Sequence, residues 1–341
     1  MLMIAGAMRS NADVRLLASS PALIQRWACT NQVNATAIRA RAGRLTRALA
    51  FVRAFGARIP ADSILVVFDF YLLPAMLLRR NSLRRKGVRV VVDLHDSARD
   101  SFARRRYFAM LSGADHVIAV SRFIADEVPD GVTVDVISRP VKPPNSFDCD
   151  ARASGGVVGI VGQVSPSKGV LEALQILESD SMLSVEVRGS STEANAPYLE
   201  KVLGFGRQFG ERFRFLGRVA HEDSVRNLDF LLVTNPAEPF GRVIVEAQTI
   251  GVIPVVPSSG GAAELVKHGH TGLVYPPGDL DTAAAAIREL IDDPARRRQV
   301  AESAARSARS AYSPSLIAEQ YLSALVGSGL RGTTSCETTP S

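Results

Sequence analysis

The chain has 341 residues, 46% hydrophobic and 22% charged, enough for two domains with separate cores and unlike a disordered chain. Its positive charge is lopsided. Residues 1–150 hold 22 Lys and Arg against 13 Asp and Glu, whereas residues 151–341 hold 18 against 21. The first half therefore suits an acidic partner: an anionic membrane surface, a phosphorylated substrate or nucleic acid. No aromatic residues interleave with the arginines, which argues against nucleic acid. Cys29, Cys149 and Cys336 are far apart and lack metal-ligand spacing, which fits reduced thiols in a cytoplasm.

In chain order, the opening "MLMIAGAMRSNADVRLL" reads as the end of a helix entering a strand at 14–18. Doubly wound domains usually open with a strand, a glycine loop and a helix. Either that first strand and loop are missing from this chain, or Leu2 to Ala5 stand for them. Met1 to Met8 lack the early positive charge and long apolar run of a secretory signal. A long helix is expected at 36–55, with Ile38, Leu45, Leu49 and Val52 on one face and Arg41, Arg44 and Arg47 largely elsewhere. The run "SILVVFDFYLLPAMLL" carries Asp69 and Pro74 and falls short of the ~20 residues that span a bilayer. It reads as a strand at 64–68 and then a helix. Further strands are expected at 89–94, 116–120 and 132–137. Basic clusters follow the helices: Arg79, Arg80, Arg84, Arg85 and Lys86, and then Arg104 to Arg106. These are solvated faces or a peripheral contact with anionic lipid.

The stretch "RPVKPPNSFDCDARASGG" is the natural linker. It divides an N-terminal domain at 1–140, with the linker at 141–156, from a C-terminal domain at 157–312. A helix at 313–326 is expected to pack back on the first domain, ahead of a disordered tail at 327–341. Second-half strands are expected at 157–161, 183–187, 214–216, 230–233, 253–256 and 272–275. Strands alternating with helices give an α/β protein with two parallel, Rossmann-like sheets.

Parallel sheets bind ligands at the carboxyl ends of their strands. Three loops leave that edge in the second half: "GQVSPSKG", "NPAEPFG" and "PSSGG". Helices are expected to follow at 169–177, 241–250 and 262–268, so that three helix amino ends face one cleft. Each offers unpaired N–H groups and a partial positive charge worth about 0.3–1 kcal/mol to an anion. With Lys168 the cleft suits a diphosphate. Glu238 precedes the middle helix and Glu246 lies two turns into it, and carboxylates are strong acceptors for sugar hydroxyls. Phosphates between hydroxyl-rich rings describe a nucleotide sugar. Asp279 and Asp281 read as a helix cap rather than a metal motif. Gly204, Gly206 and Gly210 lack the spacing and preceding strand of a dinucleotide fingerprint.

The stretch "EPFGRVIVEAQTIGVIPVVPSSGGAAELVKHGHTGLVYPPGD" closely resembles the signature region of family 4 retaining glycosyltransferases, which have the GT-B fold. "VGQVSPSKGV" and "FRFLGRVAHEDSVRNLDFLLV" resemble further blocks of that family. In the first half, "VVVDLHDSARDSF" and "ADHVIAVSRFIADEV" resemble its histidine strand and a serine-bearing strand end.

The resemblance implies that Glu246 holds ribose hydroxyls of the donor and Glu238 holds donor-sugar hydroxyls. Lys168 neutralises the diphosphate, backbone N–H groups near Phe240 and Gly241 hold sugar and phosphate, and His95 sits near the anomeric carbon. The candidate catalytic residues are thus His95 and Glu238. The candidate donor-binding set adds Gly162, Gln163, Pro239 and Val243, with Ser121, Gly260, Gly261 and Glu264 beside them. No metal and no cofactor are expected; the nucleotide sugar is a co-substrate.

The resemblance further implies a glycan or lipid-linked acceptor of the cell-envelope or exopolysaccharide type, and a cytoplasmic protein that can be peripheral at the inner face of the membrane. Two departures stand out. Gln163 replaces the arginine that the family pairs with its lysine, and the family's first glycine loop is not visible. A donor-binding protein with impaired catalysis, or another GT-B enzyme such as a nucleotide-sugar epimerase, stays open at this point.

Overall fold

The computed structural model describes residues 15–18, 34–37, 59–68, 72–98, 102–142 and 156–327. The chain divides into two compact units, residues 1–140 with 314–341 and residues 141–313.

In the first unit, β3 (Ile64–Val67), β4 (Arg89–Leu94), β5 (His116–Ala119) and β6 (Val134–Val136) form a parallel sheet in sequence order. Parallel neighbours need a crossover, and the helix Leu73–Arg85 lies between β3 and β4. Pro74 falls in its first turn, where a missing N–H costs nothing. β4 reads "RVVVDL" and buries Val90, Val91 and Val92, as a central strand covered on both faces must.

A separate parallel pair joins β1 (Arg15–Ala18) to β2 (Asn34–Ala37). This corrects the sequence reading, which began a helix at Thr36. "NATA" is four residues long and has no large apolar or aromatic side chain to announce a strand, so pairing decides its conformation rather than pattern. The rest of that expected helix, the opening segment at 1–14, most of the linker, the tail and all three cysteines lie outside the described residues.

The helix Pro314–Gly327 belongs to the first unit, where Ile317, Ala318 and Tyr321 pack with Val91, Ile118 and Ile137. Beside this core lies a buried charge. Asp93 on β4 accepts from the Tyr321 hydroxyl at 2.7 Å and from both Arg139 Nη groups. A buried carboxylate is tolerated only with such partners.

In the second unit, β7 (Val157–Val161), β8 (Ser184–Arg188), β9 (Phe213–Gly217), β10 (Phe230–Leu232), β11 (Ile253–Pro257) and β12 (Leu273–Tyr275) make one parallel sheet ordered β12-β11-β10-β7-β8-β9. The order reverses between β7 and β10, and the crevice beyond their carboxyl ends is where doubly wound sheets take ligands. The helices Leu280–Asp292 and Pro294–Ala311 are capped by Asp279 and Asp293, which accept from the N–H groups of Thr282 at 2.9 Å and Arg296 at 3.0 Å. The Asp279-Leu280-Asp281 triplet is thus a helix start.

Candidate functional site

Two loops meet at the reversal point. After β7 come Gly162 and Gln163, a 3-10 turn Pro166–Lys168, and the one-turn helix Val170–Ala173. After β10 the chain passes through Thr234, Asn235 and Glu238 to the helix Arg242–Thr249. Thr234 ties the loops together, its hydroxyl in reach of the carbonyls of Lys168 at 3.2 Å and Gly169 at 2.8 Å. They enclose a cleft of about 310 Å³. Gly162, Gln163 and Lys168 line one side, and Asn235, Glu238, Gly241, Arg242, Val243 and Glu246 line the other. His221 and Ser224, from the segment after β9, complete the wall.

The cleft holds two ion pairs. Lys168 Nζ lies 2.5 Å from Glu238 Oε2, an oxygen that also accepts from Asn235 Nδ2 at 3.2 Å. Arg242 Nε lies 2.9 Å from Glu246 Oε1, and His221 Nε2 lies 3.6 Å from the same oxygen. Burial pushes the Glu246 carboxyl above the usual carboxylate range, and the opposing charges of Arg242 and His221 do not cancel that effect. The two pairs balance in charge. Attraction for an anion therefore also draws on backbone N–H groups at the start of the helix Arg242–Thr249, whose N-cap Gly241 provides no side-chain cap.

Two glycines make this loop possible. Gly241 has φ +85°, and a Cβ there would lie 2.5 Å from Ile244. Gly260 has φ +69°, and a Cβ there would lie 2.8 Å from the Pro236 carbonyl. Its absence lets the third loop lie against the second, with Gly261 N–H donating to the Glu238 carbonyl at 2.7 Å and Ser259 Oγ to the Pro236 carbonyl at 2.9 Å.

The expectation of three helix amino ends around one cleft is corrected here. The third loop buttresses the second from behind, and neither Gly260, Gly261 nor Glu264 lines the cleft. Its helix is a single turn, Gly260–Ala263. The first helix, expected at 169–177, is interrupted, because Gln175 and Leu177 bond to carbonyls only three residues back.

Gly162, Gln163, Lys168, Glu238, Gly241, Val243 and Glu246 come together as the sequence suggests. Pro239 and Phe240 do not line the cleft. Phe240 is buried and meets the Tyr312 ring edge to face, with centroids 6.2 Å apart. Burial, and then the charge of Glu264, raise the Tyr312 hydroxyl pKa. In the first unit, His95 stands exposed just beyond β4. Ser121 is buried and caps the helix Arg122–Ala125, accepting from Ile124 N–H at 3.3 Å.

Sequence reasoning missed Arg242 and His221. Arg242 was findable, because it stands one helical turn before Glu246. His221 was not, because only the β8–β9 side of the sheet brings it to the cleft. Arg188, at the end of β8, fixes that segment by donating to the carbonyls of Asp223 at 2.8 Å and Arg226 at 2.6 Å. Among the described residues no three His, Cys, Asp or Glu side chains group as a metal site.

Residues 146–307 match the family model of glycosyl transferases group 1, and residues 1–150 match that of the glycosyl transferase 4-like domain. Among curated proteins, the chain is 30% identical over 247 residues to the alpha-D-kanosaminyltransferase of Streptomyces kanamyceticus, covering 71% of this chain and 60% of that protein. It is 36% identical over 94 residues to the glycogen synthase of Mycobacterium tuberculosis, covering 27% of this chain and 23% of that protein. The chain thus spans less than two thirds of these relatives.

Among solved structures, the Anabaena protein HepE in complex with UDP and glucose superposes with a TM-score of 0.76 at 20% identity, covering 95% of this chain and 94% of that one. A glycosyltransferase from Rickettsia africae gives 0.78 at 14% identity, covering 97% and 94%. These likenesses show the GT-B fold of two parallel-sheet α/β domains. With family models matching residues 1–150 and 146–307, the chain belongs to the group 1 glycosyltransferases of the family 4, GT-B type.

Proposed function

We propose that the protein transfers a sugar from a nucleotide-sugar donor to a glycan or lipid-linked acceptor, with retention at the anomeric carbon. The observation that carries this reading is the meeting of Lys168, Glu238 and Glu246 on one cleft at the reversal point of a parallel sheet. The donor's phosphates take the N–H groups at the start of the helix Arg242–Thr249 and the Lys168 charge. Glu246 accepts from the pentose hydroxyls and Glu238 from those of the donor sugar. That HepE was crystallised with UDP and glucose supports a nucleoside diphosphate as the leaving group.

In the reaction the bond from the anomeric carbon to the diphosphate oxygen breaks. The acceptor hydroxyl oxygen bonds to the same face, and its proton passes to the leaving diphosphate. Electrostatic support of that leaving group is the main contribution of the cleft. His95 is the first unit's candidate for contact with the reacting sugar.

A lipid-linked acceptor accords with one face of the helix Leu73–Arg85. Leu77 and Leu78 are exposed there, followed along the same face by Asn81 and by exposed Arg84 and Arg85. No helix among the described residues is long and apolar enough to cross a membrane.

The test is transfer from radiolabelled nucleotide sugars to an acceptor extract, with Glu246→Ala as control. Transfer by the wild type and loss of at least a hundredfold in the folded variant is the expected outcome, at about 1.4 kcal/mol per tenfold. An unchanged rate in the variant refutes the assignment of Glu246. Sugar isomerisation without any acceptor would identify an epimerase instead.

A further inference from the structure

The cleft contains an arginine that the proposed donor contacts do not use. Arg242 lies in the first turn of the helix that carries Glu246, one turn upstream, so both side chains leave the same face. Its Nε engages Glu246 Oε1 at 2.9 Å, and His221 Nε2 reaches the same oxygen at 3.6 Å from a different segment. Both side chains therefore face Oε1. The Glu246 side chain is 14% exposed, so its rotamer is confined by packing as well as by charge.

We propose that Arg242 is a positioning residue for this cleft: with His221 it pins Oε1 of Glu246, turning Oε2 toward the vicinal hydroxyls of the nucleotide's pentose. This deepens the nucleotide-sugar reading and rests on it. Arg242 acts through the carboxylate and not on the phosphates. Its Nε engages Glu246, while in the proposed reading Lys168 and the start of the helix Arg242–Thr249 take the diphosphate.

The same arrangement gives binding an acid limb. A carboxylate accepts hydroxyl hydrogen bonds more strongly than a carboxyl group does. Burial already disfavours the charged form of Glu246, and Arg242 is the stronger of the two charges opposing it. Affinity is present above the Glu246 pKa and declines as pH falls through it. Removing Arg242 raises that pKa further, so the limb moves to higher pH. The charged groups facing Glu246 are Arg242 from its own helix and His221 from the turn after β9. Lys168 and Glu238, across the cleft, are paired with each other, and Arg309 from the helix packed behind donates to the Thr249 carbonyl at the far end.

The experiment is calorimetric titration of the full chain with UDP and with 2′,3′-dideoxy-UDP, from pH 5 to 8, for wild type, Arg242→Leu and Arg242→Lys. The expected result is that Arg242→Leu weakens UDP about tenfold at pH 7, the scale of one hydrogen bond to a charged group. It leaves dideoxy-UDP within about twofold and moves the acid limb upward, and Arg242→Lys recovers most of the loss. Equal weakening of both ligands would make Arg242 a phosphate contact and overturn the proposal, as would no change in either. GDP and ADP are titrated against the wild type alongside, the diphosphate that binds and its dideoxy form serving as the pair compared; a wild type that binds none of the three would instead sink the donor reading on which the proposal rests.

Discussion

Each glutamate of the cleft has one oxygen engaged by neighbouring side chains: Oε2 of Glu238 by Lys168 and Asn235, and Oε1 of Glu246 by Arg242 and His221. Such pre-set side chains lose little freedom when a ligand arrives. What sets Glu238 is the backbone beneath it, and that backbone depends on Gly260. Gly260→Ala places a methyl at φ +69° and within 3.1 Å of the Glu238 N–H and carbonyl oxygen. We expect a loss of about 1–3 kcal/mol in denaturant unfolding and a matching fall in nucleotide affinity. Unchanged affinity in Gly260→Ala would mean that the third loop does not support the second.

At the scale of elements, legibility varied with how local the signal was. The loops after β7 and β10 were readable because Pro and Gly punctuate them and apolar strands precede them. The strands of the second unit likewise fall where their β-branched and aromatic runs predict, within a residue or two. The β2 strand was not readable, since "NATA" owes its extended form to pairing with β1. The split of the first helix was equally hidden, because Gln175 and Leu177 differ from helical residues only in closing tighter turns.

The Asp93, Arg139 and Tyr321 cluster was invisible for a different reason. Its members come from β4, the chain just before the second unit and the last helix, and only the fold unites them. Burial, then the charge of Asp93, raise the Tyr321 hydroxyl far above its usual range, so it acts as a neutral donor. Tyr321→Phe should cost about 1–3 kcal/mol, because it removes one partner from a buried carboxylate. Chemical denaturation checks this, and a cost under about 0.5 kcal/mol would show that Arg139 alone suffices.

At the scale of the molecule, charge and chemistry are separated. The basic clusters lie in the first unit, and the cleft with its paired acids lies in the second. If the exposed leucines and arginines of the helix Leu73–Arg85 meet anionic lipid, the protein should sediment with phosphatidylglycerol vesicles but not with phosphatidylcholine vesicles. The double change Leu77→Asp and Leu78→Asp should abolish this while leaving nucleotide affinity intact. Equal sedimentation with both lipids would remove charge from the explanation.

The claim beneath all of this is that residues 141–313 hold one cleft, built on Lys168, Glu238 and Glu246, that grips a nucleotide sugar. Calorimetric titration of the whole chain with UDP-, GDP- and ADP-glucose, repeated on Glu246→Ala, tests it most directly. The account predicts that at least one of these binds the wild type and that its affinity falls at least tenfold in the variant, about 1.4 kcal/mol. Binding of equal strength to both proteins, or to neither, would contradict it.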